Sequence, residues 1–87
     1  MEIELVPGSG VSDRVEKLIR RLELRSEILD LNQYPGSTHW HLKKQGVKGT
    51  LEITWWPKQN RLWLEIRENR EAAWQQKIVD ALTDEFS

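Results

Sequence analysis

The chain has 87 residues, 38% hydrophobic and 31% charged, with 13 Lys and Arg against 14 Asp and Glu and no Cys. That balance excludes a disordered tail and a second domain, and predicts one folded domain over residues 1–87. Without Cys, disulfides, thiolate metal sites and cysteine nucleophiles are excluded, and no apolar run approaches the ~18 residues of a membrane-crossing helix.

In chain order, Glu2-Ile3-Glu4-Leu5-Val6 alternates polar and apolar and then meets Pro7-Gly8. It reads as a short strand with Ile3 and Leu5 inward, expected at a sheet edge and in parallel. The same opening lacks the basic and apolar stretches of a secretory leader, so the expected compartment is the cytoplasm. Gly8-Ser9-Gly10 links to a helix starting near residue 13, where Ser12 and Asp13 are N-cap residues and Glu16 completes a capping box. Val15, Leu18, Ile19, Leu22 and Leu29 fall on one side of that helix. Leu24, Ile28 and Leu31 fall opposite, which leaves two readings. Either the helix breaks near residues 25–26 and an irregular segment follows, or it continues and offers a second apolar stripe to another subunit.

Tyr34-Pro35-Gly36-Ser37 ends this region. Three alternating strands follow at Thr38–Lys44, Gly49–Trp56 and Arg61–Arg67, joined by turns at Gly46-Val47 and Pro57–Asn60. Asn69 caps a last helix with Trp74, Ile78, Ala81, Leu82 and Phe86 on one face. The expected fold is α+β in the order β-α-β-β-β-α: a three-stranded antiparallel meander covered on one face by two helices. The turns also set a register, because side chains alternate faces with period two. Pairing His39 with Thr54 and Trp56 with Arg61 aligns Trp40, Ile53 and Leu64, then Leu42, Leu51 and Ile66, with Trp55 and Leu62 on the same side. That face is the core. The opposite face then carries His39, Thr54 and Trp63 in one row, His41, Glu52 and Glu65 in the next, and Lys43, Thr50 and Arg67 in a third.

Five Trp in 87 residues are the unusual feature of the composition. Trp56 and Trp63 are diagonal neighbours on the face opposite the core, and Arg61 is placed to stack on Trp56. Trp and Arg dominate interface hot spots, so the expected role is a non-enzymatic protein-interaction or self-association module working through an open sheet face. Its candidate binding residues are Trp56, Arg61, Trp63, His39, His41, Glu52 and Glu65, and its partner another protein or a second copy. Glu52 and Glu65 lie side by side, so His41, in their row, is expected to be the more easily protonated histidine. The same four residues, His39, His41, Glu52 and Glu65, form a weak candidate metal site.

Nucleic acid is the alternative partner. Lys43, Lys44 and Lys48 surround the first hairpin turn, and Arg14, Lys17, Arg21 and Arg25 line one flank of the first helix. The helix–three strands–helix order resembles that of double-stranded RNA-binding domains in topology, but the last helix opens Asn69-Arg70-Glu71-Ala72 rather than Lys-rich. No Gly-rich phosphate loop, nucleophile elbow or HExxH is present, so no catalytic residue, cofactor or membrane partner is expected.

Overall fold

A computed structural model describes residues 2–29, 33–46, 49–67 and 73–87. Among them run β1 (Glu2–Leu5), α1 (Val11–Arg21), β2 (Arg25–Leu29), β3 (Thr38–Lys43), β4 (Thr50–Trp56), a 3₁₀ turn (Pro57–Gln59), β5 (Arg61–Arg67) and α2 (Ala73–Glu85). The class is α+β as expected, but the sheet has five strands in the order β1-β5-β4-β3-β2, and every neighbouring pair is antiparallel.

The central meander has the register that the alternation implies. His39 lies opposite Thr54, Thr54 opposite Trp63, and Trp56 opposite Arg61. Trp40, Leu42, Leu51, Ile53, Leu62 and Leu64 are fully buried in one cluster with Val15, Leu18 and Ile19 of α1 and Trp74, Ile78 and Leu82 of α2. Both helices therefore cover the face that carries Trp40, and burial of this apolar surface is the main stabilising term.

Three expectations are corrected. First, β1 joins the β5 edge in antiparallel rather than parallel, with Ile3 opposite Leu64 and Leu5 opposite Leu62, so its apolar side chains continue the core rows. Second, α1 begins at Val11, and its N-cap is Gly10 in the left-handed conformation with no side-chain cap hydrogen bond. Ser12 and Asp13 lie inside the first turn, where Asp13 complements the helix dipole.

Third, residues 25–29 are neither helix nor irregular but an edge strand. The helix closes in a Schellman turn: the Glu23 amide donates to Arg20 O and the Leu24 amide to Ile19 O, both at 3.1 Å. Glu23 holds the left-handed position of this turn, at φ 55°, where glycine is usual. Leu24 packs back on the core, as the hydrophobic residue of that motif does. The chain then turns onto β3, with Arg25 opposite Lys43, Glu27 opposite His41 and Leu29 opposite His39. Leu31, Val47 of the first hairpin turn and the Asn69 cap lie outside the described residues.

Arg14 ties the ends of the chain together. Its Nη1 donates to Pro7 O and Ser9 O at 3.0 and 3.1 Å, Nε to Glu85 Oε1 at 3.0 Å, and Nη2 to Glu85 O. The guanidinium also lies over the Phe86 ring, 4.4 Å from its centroid. At the other end of α2 the buried Gln75 donates to Thr50 O at 3.0 Å, across a Gly49 at φ 104°.

Candidate functional site

The sheet face away from the helices is assembled by β-strand alternation and is less open than alternation alone implies. Tyr34, from the connection between β2 and β3, packs edge-on against both Trp56 and Trp63, with centroids 5.0 and 5.2 Å away. The Trp56 indole Nε1 donates to Pro35 O at 3.0 Å. Trp63 is 4% exposed and Trp56 half-buried, so the pair forms a covered cluster rather than a bare platform. The Arg61 cation stacks on Trp63, 4.5 Å from the ring centroid, and not on Trp56. Arg61 also pairs with Glu4 of β1, with Glu2 3.9 Å away. The Glu4 hydrogen bond, more than any opposing desolvation, raises the already high pKa of this guanidinium and keeps it charged.

The centre of the face is a buried polar chain. The Nδ1 of His39 lies 2.7 Å from Thr54 Oγ1, and its Nε2 lies 2.6 Å from Glu52 Oε1. All three side chains are buried. The Glu52 carboxylate therefore sits on His39, one row away, and not on His41, its directly opposite neighbour and expected partner. Strand pleating brings the diagonal pair together as readily as the direct one when the side chains are long. A carboxylate, an imidazole and a hydroxyl in sequence are the components of a nucleophile relay, and here all three are buried, with Thr54 2% exposed. Both His39 nitrogens are occupied within the chain, which removes it from the candidate metal set. Among the described residues, no three His, Asp or Glu side chains gather around a common point. Glu65 stays in its predicted place opposite Glu52, half-buried, with Glu2 on its other side.

His41 is half-buried, and its Nε2 has no hydrogen-bond partner among the described residues. It lines a cavity of about 300 Å³ with Arg25, Ser26, Glu27 and Lys43 at the β2 edge.

The basic residues of the nucleic-acid alternative do not converge. Arg14 is engaged with Glu85 and three backbone carbonyls. Lys17 and Arg21 are exposed on α1, which packs on the far side of the sheet from Lys43. Arg25 is not on the helix flank at all but on β2. Lys44 is exposed beyond β3, and Lys48 lies outside the described residues. An extra strand between α1 and β3 also parts this topology from the RNA-binding arrangement.

Sequence reasoning missed the most exposed apolar element. Every residue of β2 is exposed, with Ile28 at 59% and Leu29 at 40%. No clean alternation marks this strand: Leu24 and Ile28 enclose three polar residues, Arg25, Ser26 and Glu27, and that i, i+4 spacing fits a helix as well as a strand. Among the described residues no helix is long and apolar enough to cross a membrane. No protein-family model, curated protein or solved structure matches this chain.

Proposed function

We propose that this protein is a non-enzymatic protein-interaction module whose docking element is edge strand β2. The observation that carries the reading is the contrast between the two apolar surfaces. The Trp56 and Trp63 pair is covered by Tyr34 and Pro35, whereas β2 shows Ile28 and Leu29 to solvent along a strand edge with nothing beside it among the described residues. An edge strand presents a row of unpaired backbone groups, and an incoming strand supplies their partners while its side chains meet those on both faces. The opposite edge is guarded. On β1, Glu2 and Glu4 share a face and are already held by Arg61 of β5, so an added strand there would meet an existing ion-pair cluster. The cavity at Arg25, Glu27, His41 and Lys43 continues the β2 edge onto the sheet and adds charge selectivity to the backbone pairing.

The test is position-resolved photo-crosslinking with a benzoyl-phenylalanine placed in turn at Ile28, Lys17 and Trp56. A discrete adduct from Ile28 and none from Lys17 is the expected result. Adducts from Trp56 alone would return the docking site to the aromatic cluster and overturn the assignment to β2.

A further inference from the structure

Resting on the reading of β2 as the docking edge, we infer that its partner is β2 of a second copy, laid antiparallel with Ser26 opposite Ser26 on a two-fold axis. The argument is self-complementarity. Side chains at Arg25, Glu27 and Leu29 point to the sheet face that carries His41, and those at Ser26 and Ile28 to the helix-covered face, with Leu24 next in the same alternation. A two-fold axis normal to the sheet keeps those faces in common, so only registers centred on a residue are allowed.

Centred on Arg25, the pairing sets Arg25 against itself and Glu23 against Glu27. Centred on Glu27, it sets that carboxylate against its own copy. Centred on Ile28, it places the Glu27 charge against Leu29. Centred on Ser26, Arg25 meets Glu27 of the other copy twice on one face and Leu24, just before the strand, meets Ile28 twice on the other. Only Leu29 falls opposite a charge, Glu23, which lies in the turn outside the strand. Like charges directly opposite destabilise a strand pair, and opposite charges and apolar pairs stabilise it.

The isolated chain carries the complementary half of this arrangement. Arg25 sits directly opposite Lys43, a like charge, and Glu27 opposite His41. Neither Arg25 nor Glu27 forms an ion pair with another described residue. In the Ser26-centred dimer, the partner's carboxylate extends the Lys43 and Arg25 row, placing a negative charge at the end of two adjacent positive ones. Ile28, 59% exposed in the single chain, is covered by the Leu24 edge of the other copy. Two five-stranded sheets then join into one of about ten strands, within the range that open sheets reach.

The absence of native Cys makes the register directly readable. Facing residues of an antiparallel pair have Cα separations inside the ~4.4–6.8 Å window of a disulfide, whereas residues displaced along the strands do not. Under mild oxidation, Ser26→Cys is expected to give a covalent dimer rapidly, with Glu27→Cys and Ile28→Cys lagging. Dominant dimer formation by Glu27→Cys or Ile28→Cys would overturn the register.

Sedimentation equilibrium from low micromolar to near-millimolar concentration should show a reversible dimer. Arg25→Glu or Glu27→Arg should weaken it about tenfold, and the double swap should restore it, because each swap turns two symmetric attractions into repulsions. A monomer throughout, with no Ser26→Cys crosslinking, overturns the second copy as partner. The Ile28 photo-adduct then separates that failure from failure of the β2 reading, since a heterologous protein would still be captured there and not at Lys17.

Discussion

Replacing His39 by Phe removes both imidazole nitrogens from the middle of the buried sheet face while keeping a ring of similar bulk. Two groups lose a partner. Thr54 Oγ1 loses a contact of 2.7 Å, and Glu52 Oε1 loses one of 2.6 Å, both buried. Losing a hydrogen-bond partner in a buried site costs about 1–3 kcal/mol for each stranded group, and more when that group is a carboxylate. Glu52 keeps a further interaction besides His39, which favours the lower end, so His39→Phe is expected to cost about 3–4 kcal/mol. Glu52→Met strands one imidazole nitrogen and should cost roughly 1–3 kcal/mol. With both changes made, no polar atom of the pair is left behind, and the double variant should fall only about 1–2 kcal/mol below wild type. The coupling between the two sites is then about 2 kcal/mol or more, large for a pair in contact. Urea unfolding followed by Trp fluorescence measures all four stabilities, with a constant m-value as the check on two-state behaviour. Costs that add to within about 0.5 kcal/mol would refute the claim that His39 and Glu52 stabilise each other inside the sheet face.

Tyr34→Ala removes two edge-on ring contacts, at 5.0 and 5.2 Å, worth about 0.5–1.5 kcal/mol each beyond area. It should raise acrylamide quenching of Trp fluorescence, and unchanged quenching would show that Tyr34 does not cover the pair. Arg14→Met is expected to lower stability by about 1–3 kcal/mol in urea, since it loses the Glu85, Pro7 and Ser9 contacts together. Arg14→Lys should recover less than half of that, because a point cation cannot reproduce the guanidinium fork; full recovery would count against the geometry. Gly49→Ala combines a backbone at φ 104° with a Cβ placed 2.8 Å from Gln75 Nε2, and should cost about 2–4 kcal/mol in thermal or urea melts. A Gly49→Ala, Gln75→Ala double variant relieves the clash but not the backbone strain, so wild-type stability in the single variant would refute both causes.

The central hairpins were legible in the sequence because their information is local. Period-two alternation through Thr38–Lys43, Thr50–Trp56 and Arg61–Arg67, with short turns between, leaves one register that places Trp40, Ile53 and Leu64 in a row. The helix faces were legible for the same reason, since 3.6-residue spacing gathers Leu18 and Ile19, or Trp74 and Ile78, on one side. The end of α1 was not, because Glu23 takes a left-handed position that glycine usually marks, and the spacing after it left a continued helix and an irregular segment equally open, with neither being the strand that forms.

Two features belong to the tertiary structure alone. The partner of Glu52 was settled by which imidazole, His39 or His41, the buried side chains could reach, a choice of rotamer across neighbouring rows that spacing along the chain does not encode. The exposure of the aromatic pair was settled by Tyr34 and Pro35, more than twenty residues from both Trp56 and Trp63, folding back over them. Alternation assigns a side chain to a face of the sheet. Whether that face meets water depends on where the rest of the chain lies, and only the packed structure decides that.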